Sequence, residues 1–219
     1  MQIVSLSTVL NAAFNYVIQT SSKYNIDESH SLKHSMEVFH FANNIYDSEL
    51  VNHPYLKQQK EIISVSSIIH DMCDKKYMDE STGINNMNKF MKDYMSSQDL
   101  GVVSQIVSSM SYSTVKLKGY PNLGKYQMAY HIVREADLLA AYDIDRCIIY
   151  GMRKENVDYI TATKRALELF DTRVLKYRDS NLFITNYAKH KSLLLHNECL
   201  TNLEIVKTMM YKEDDTTYF

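Results

Sequence analysis

Apolar residues along this chain recur every three to four positions and almost nowhere in strict alternation. Leu6, Val9, Leu10, Ala13, Phe14 and Val17 form one face of a helix predicted over residues 3–20. Val38, Phe41, Ala42 and Ile45 line a second helix over residues 30–47, with Asp27 or Ser29 placed to cap it. Pro54 suits the start of a third, over residues 55–73. There Ile62, Ile63, Val65, Ile68 and Ile69 surround the axis, so this helix is expected to be buried on most sides. Ile84, Met87, Phe90, Met91 and Tyr94 predict a helix over residues 80–97, and Asp99 suits the cap of a short one running to Met110. Residues 111–124 break the rhythm with Gly119, Pro121 and Gly124 and read as a loop over a site. Helical spacing resumes over residues 125–142, 156–176 and 182–211, and the acidic run Glu213–Thr217 reads as a frayed tail. The expectation is an all-α fold, with residues 1–219 forming one domain.

Composition sharpens this picture in a few places. Five glycines and two prolines in 219 residues favour long helices over a turn-rich β fold. A net charge of −2 with no block of like charge argues against a nucleic-acid partner held by bulk electrostatics. No apolar run reaches membrane-spanning length, and the N-terminus lacks the basic-then-apolar order of a signal peptide, so an intracellular, cytoplasmic location off the membrane is expected. Cys73, Cys147 and Cys199 are scattered and odd in number, as in a reducing compartment without a disulfide framework. Seventeen tyrosines leave room for a homodimer face without locating one.

Chemistry concentrates where the third helix ends. His70 and Asp71 follow Ile68 and Ile69 directly, and an ionised carboxylate buried alone costs several kcal/mol or more. A metal ion offsets that cost by supplying the missing positive charge. His34, four residues before Val38, shares the inward stripe of the second helix, although a single histidine on an apolar face is more often a hydrogen-bonded core residue. Asp137 stands on an apolar face with Arg134 one turn earlier, and a plain ion pair between them is the bland explanation. Together, however, His34, His70, Asp71 and Asp137 are four nitrogen or oxygen ligands at buried positions on three helices. That donor set suits one divalent ion of Mn, Fe, Co, Ni, Zn or Mg, with a bound water ionising near neutral pH as a nucleophile.

On these residues the chain resembles the HD-domain metal-dependent phosphohydrolases, whose pattern is H…HD…D. The matching segments are KHSMEVFHFA with His34, IIHDMCDKK with His70 and Asp71, and READLLAAY with Asp137; the likeness covers about residues 28–146, with the helices of 156–211 packing on that core. The resemblance implies that the four residues hold one metal ion and that the chain cleaves a phosphoester of a small metabolite or nucleotide through a metal-activated water. It implies Asp74 as general base, an aspartate where nucleotidase-like members often carry glutamate. Lys75 and Arg134 are candidates to neutralise phosphate oxygens, His30 to donate to phosphate or leaving group, and Lys116 and Lys118 to close from the 111–124 loop; Lys76 reads as solvated surface charge. Two-metal members insert extra histidines between the HD pair and the last aspartate, whereas here only His131 intervenes, which favours a mononuclear site. The absence of a conspicuous phosphate-binding arginine near the first helix leaves a second reading, a non-catalytic module that binds metal and nucleotide.

Overall fold

The computed structural model describes residues 4–211; the acidic run Glu213–Thr217 and the first residue of the helix predicted from position 3 lie outside them. Among the described residues there are ten α-helices, several short 3-10 turns and no strand, so the all-α expectation holds. The helices are α1 Leu6–Tyr24, α2 Leu32–Glu49, α3 Lys60–Ile69, α4 Glu80–Met91 and α5 Ser97–Ser109. They continue as α6 Tyr112–Lys118, α7 Gln127–Ala140, α8 Ile144–Arg153, α9 Tyr159–Thr172 and α10 Asn186–Tyr211.

Helix α3 is the axis of the molecule. Ile62 through Ile69 are all buried, and α1, α2, α5 and α7 pack around them. Truncating one of these isoleucines to alanine would cost about 2–5 kcal/mol, because lost burial and the remaining cavity both count. The long apolar run preceding His70 is therefore what drives the chain's chemistry into the interior. Helices α8 and α9 form a hairpin outside this bundle. Their contact is so close that a Cβ on Gly151 would stand 2.9 Å from that of Ala162. Helix α10 lies along α2, α7 and α8.

Several boundaries differ from expectation, each for a local reason. The third helix is a 3-10 turn at Pro54–Gln59, then α3, then a second 3-10 turn at His70–Cys73. Asp74 leaves that turn in an extended conformation (φ −69°, ψ 129°), so it does not stack one turn above His70 and Asp71. Ser31, not Asp27 or Ser29, precedes α2. Ser96 caps α5 by accepting from the Asp99 amide, while Asp99 accepts the Ser96 hydroxyl. The segment read as a loop contains α6, started by Ser111, whose hydroxyl accepts from the Thr114 amide. Residues 144–153, with Asp143 as N-cap, form a separate helix absent from the sequence reading, and Ile144 belongs to it and not to the preceding helix.

Candidate metal centre

Three elements bring the four expected ligands together. His34 sits in the first turn of α2, His70 and Asp71 in the 3-10 turn that ends α3, and Asp137 in the last turn of α7. Helix α4 braces the middle element: a methyl on Gly83 would lie 2.9 Å from Cys73 Cα, so only glycine lets α4 approach that turn so closely.

The ligand atoms converge. His34 Nε2 and His70 Nε2 are 3.1 Å apart. Asp71 Oδ2 lies 3.3 Å from the first and 3.2 Å from the second. Asp137 Oδ1 lies 3.4 Å and 3.6 Å from the same two nitrogens. Atoms bound about 2.0–2.2 Å from one ion stand roughly 3.0–3.5 Å from each other in tetrahedral or adjacent octahedral positions. His34, His70 and Asp137 can hold a metal ion; Asp71, expected as a fourth ligand, is outside that mutually close set, although its Oδ2 lies within 3.3 Å of both imidazole nitrogens.

Two further features fit a cation. His70 Nδ1 donates to the Ser67 carbonyl at 2.9 Å, which leaves Nε2 as the inward atom, the usual orientation of a ligating imidazole. Asp71 Oδ2 is buried without a hydrogen-bond partner, as is His34 Nδ1 on the far side of its ring. A buried, unpartnered carboxylate oxygen aimed at two imidazoles is unfavourable unless positive charge arrives. Protonation supplies some of it. Burial opposes a charge on His70, but Asp71 and then Asp137 outweigh burial and raise its pKa to about 9. Burial likewise opposes charge on the two carboxylates, yet Asp71 is held well below the usual carboxylate range by His70, and Asp137 is lowered mainly by its bond to His34.

The cluster opens on one side. Asp137 keeps 28 % side-chain exposure and, with His70 and Asp71, lines a cavity of about 480 Å³, within the range of small-molecule sites. Across the cavity stand Ser111, Tyr112, Ser113 and Thr114 of the α6 start, together with residues of α8 and α9. The irregular segment does face the site, but through hydroxyls and not through its lysines. Lys116 and Lys118 are exposed and off the cavity wall, with Lys116 Nζ 6.0 Å from the centre of the Tyr112 ring. Helix α6 turns their side of the segment outward.

The remaining candidates separate clearly. Lys75 is exposed on the cavity wall. Arg134 is not on that wall: it is buried beside Glu135 Oε1 at 3.3 Å, donates to the Leu182 carbonyl at 2.5 Å and lies over the Tyr120 ring. It therefore serves neither phosphate nor an ion pair with Asp137. Asp74 lines the cavity, with Oδ1 accepting from the Lys76 amide at 2.8 Å and Oδ2 3.3 Å from Lys76 Nζ.

His30 also lines the cavity, but not as a donor to it. Ser29 Oγ donates to Asp27 Oδ1 at 2.5 Å and stands 2.6 Å from His30 Nδ1. Tyr77 donates to Asp27 Oδ2 at 2.8 Å and lies 3.2 Å from the same Nδ1. Both hydroxyl protons are committed to Asp27, so Nδ1 carries the ring proton and Nε2 accepts from Lys76 Nζ at 3.2 Å. Burial and the nearby cations keep this imidazole neutral, outweighing Asp71 and lowering its pKa to about 3. Lys76, read from the sequence as solvated charge, is exposed as that reading has it, and it also bridges Asp74 and His30. Burial opposes its charge, but Asp71 and Asp74 hold the ammonium pKa above its usual value. Only its place in the polar run after the HD pair marked it. Arg146, on the helix that the hydrophobic pattern left out, was missed altogether.

No protein-family model matches the chain, and no curated protein matches it. The fold is similar to the crystal structure of a Lactobacillus plantarum protein determined as a Northeast Structural Genomics target. The two share 16 % identity with a TM-score of 0.67, over 92 % of this chain and 96 % of the other. At that identity the likeness concerns the fold alone.

Proposed function

We propose that the chain is a metal-dependent phosphohydrolase of the HD-domain kind, acting on a phosphoester of a small metabolite or nucleotide. The observation that carries this reading is the approach of Asp71 Oδ2 and Asp137 Oδ1 to the paired nitrogens His34 Nε2 and His70 Nε2, beside a cavity that His70, Asp71 and Asp137 line, with one buried carboxylate oxygen left unpartnered. A divalent ion bound there supplies Lewis acidity and a water acidified toward neutral pH. The chain's own residues supply the rest. The imidazoles and carboxylates fix the ligand geometry, Lys75 and Lys76 place positive charge where phosphate oxygens gather, and Asp74 is the candidate proton acceptor on the wall.

One observation favours a second reading, a module that binds metal and phosphate without turnover: both Asp74 oxygens are already engaged by Lys76. A single experiment separates the two. The purified protein is loaded in turn with Mn, Fe, Co, Ni, Zn and Mg, then offered a panel of phosphomonoesters and nucleotides. The hydrolase reading expects metal-dependent phosphate release that falls at least about a thousand-fold in His70→Ala. Ligand-dependent thermal stabilisation without phosphate release would establish the binding module instead.

A further inference from the structure

The turn Asp27–His30 is more heavily bonded than a connection between two helices requires. Asp27 takes three donors through its two oxygens: the Ser29 amide at 3.0 Å, the Ser29 hydroxyl and the Tyr77 hydroxyl. Such a network holds the backbone and both ends of the His30 ring in one orientation. Two cations are tied to it. Lys76 Nζ donates to His30 Nε2, and Arg146 Nε donates to the Ser29 carbonyl at 2.8 Å. The two cations come from distant parts of the chain, the segment after the HD turn and helix α8, yet they are anchored on consecutive residues.

Neither cation is fully used. An ammonium has three donors, and Lys76 commits one to His30 and one to Asp74. A guanidinium has five, and among the described residues Arg146 shows a partner for Nε alone and no carboxylate within ion-pair distance. Both side chains line the cavity onto which Asp71 and Asp137 open. The His30 ring stands 6.3 Å from that of His34, so the tethered pair lies beside the ligand cluster.

We infer that Lys76 and Arg146, moored to the Asp27–His30 turn, form an anion subsite beside the His/Asp cluster that takes the doubly charged terminal phosphoryl group of the substrate. His30 is a positioning residue in this arrangement: it aims Lys76 and does not itself touch the phosphate. The inference rests on the proposed metal-dependent reading of the same cavity. Two fixed cations next to a divalent ion favour a dianion, so the subsite selects phosphomonoesters and terminal phosphates over diesters.

The test is calorimetric binding of orthophosphate to the full chain, with Mn²⁺ and without it, in parallel with metal analysis and thermal melting. Lys76→Ala and Arg146→Ala are each expected to weaken phosphate binding about ten-fold while metal content and melting stay near wild type. Arg146→Lys should recover part of the loss. His30→Gln should weaken binding several-fold in the wild-type background and add nothing in Lys76→Ala, a non-additivity that a merely structural histidine would not show. Methyl phosphate should displace orthophosphate at least about ten-fold better than dimethyl phosphate. Wild-type affinity in both alanine variants, or equal competition by the two esters, would overturn the subsite even with metal bound. Phosphate binding that depends on Lys76 and Arg146 in a protein taking up none of Mn, Fe, Co, Ni, Zn and Mg would support the subsite and defeat the metal reading.

Discussion

Helix α7 carries two buried charged clusters only two residues apart, and they have been treated very differently. At Glu135 the protein completes its own hydrogen bonding. The carboxylate accepts the Ile184 amide at 2.7 Å, the Thr185 amide at 3.1 Å, the Thr185 hydroxyl at 2.7 Å and Arg134 at 3.3 Å. Glu49 adds a bond to the Asn186 amide, so the two glutamates together hold the start of α10. The one group left over is Arg134 Nε, in a guanidinium that lies over the Tyr120 ring. At Asp137 the donors and acceptors do not close among themselves. Two imidazole nitrogens face each other, and a buried carboxylate oxygen finds no donor. A buried charge satisfied from within holds the fold together; one left unsatisfied beside a cavity is arranged for something from outside.

Breaking the first cluster should cost the most stability. Glu135→Ala leaves Arg134 and three donors at the start of α10 without their acceptor, and is expected to destabilise the protein by about 3–5 kcal/mol in denaturant unfolding. Metal bound per folded molecule should not change. The second cluster should respond the other way. A divalent ion at 100 times its dissociation constant should stabilise the wild type by about 2.7 kcal/mol. Asp137→Asn should lose most of that gain in a thermal melt, while its metal-free stability stays close to wild type.

The sequence carried more of the second cluster than of the first, and the reason is physical. Ligands must sit at particular positions on helices, so His34, the His70–Asp71 pair and Asp137 stand out as polar residues on apolar stripes. Glu135 meets its partners across 49 or 50 residues of chain, at backbone amides that no pattern of side chains reveals. The same limit explains Arg134, which looked like a phosphate ligand because its neighbour in sequence is the Asp137 turn, whereas its neighbours in space are Glu135 and Leu182. The helices of the central bundle were legible because their apolar stripes are long. Helix α8 was not, since only Ile144, Ile148 and Gly151 of its ten residues are buried. Helix α6 buries none, and Gly119, Pro121 and Gly124 just beyond its end spoke for a loop.

A smaller effect should come from His131, which belongs to the structural side of α7. Burial, then Arg134, lowers its pKa from 6.5 to about 4. The unfolded chain therefore binds the extra proton between those two values and the folded chain does not. Stability should be fullest above about pH 6.5 and decline as the pH falls toward 4, by roughly 2 kcal/mol attributable to this group. His131→Gln should flatten that part of the pH profile in chemical denaturation without altering metal uptake. The smallest effect is expected at the exposed lysines of α6: Lys116→Ala and Lys118→Ala should each change stability by less than about 0.5 kcal/mol and leave phosphate binding as it was.

Anomalous diffraction from crystals grown with Mn²⁺ decides whether the unsatisfied cluster is a metal centre. One peak is predicted, about 2.0–2.3 Å from His34 Nε2, His70 Nε2, Asp71 Oδ2 and Asp137 Oδ1. A peak elsewhere with this cluster empty at saturating Mn²⁺, or hydrogen bonds closing it with no ion between them, would contradict the account.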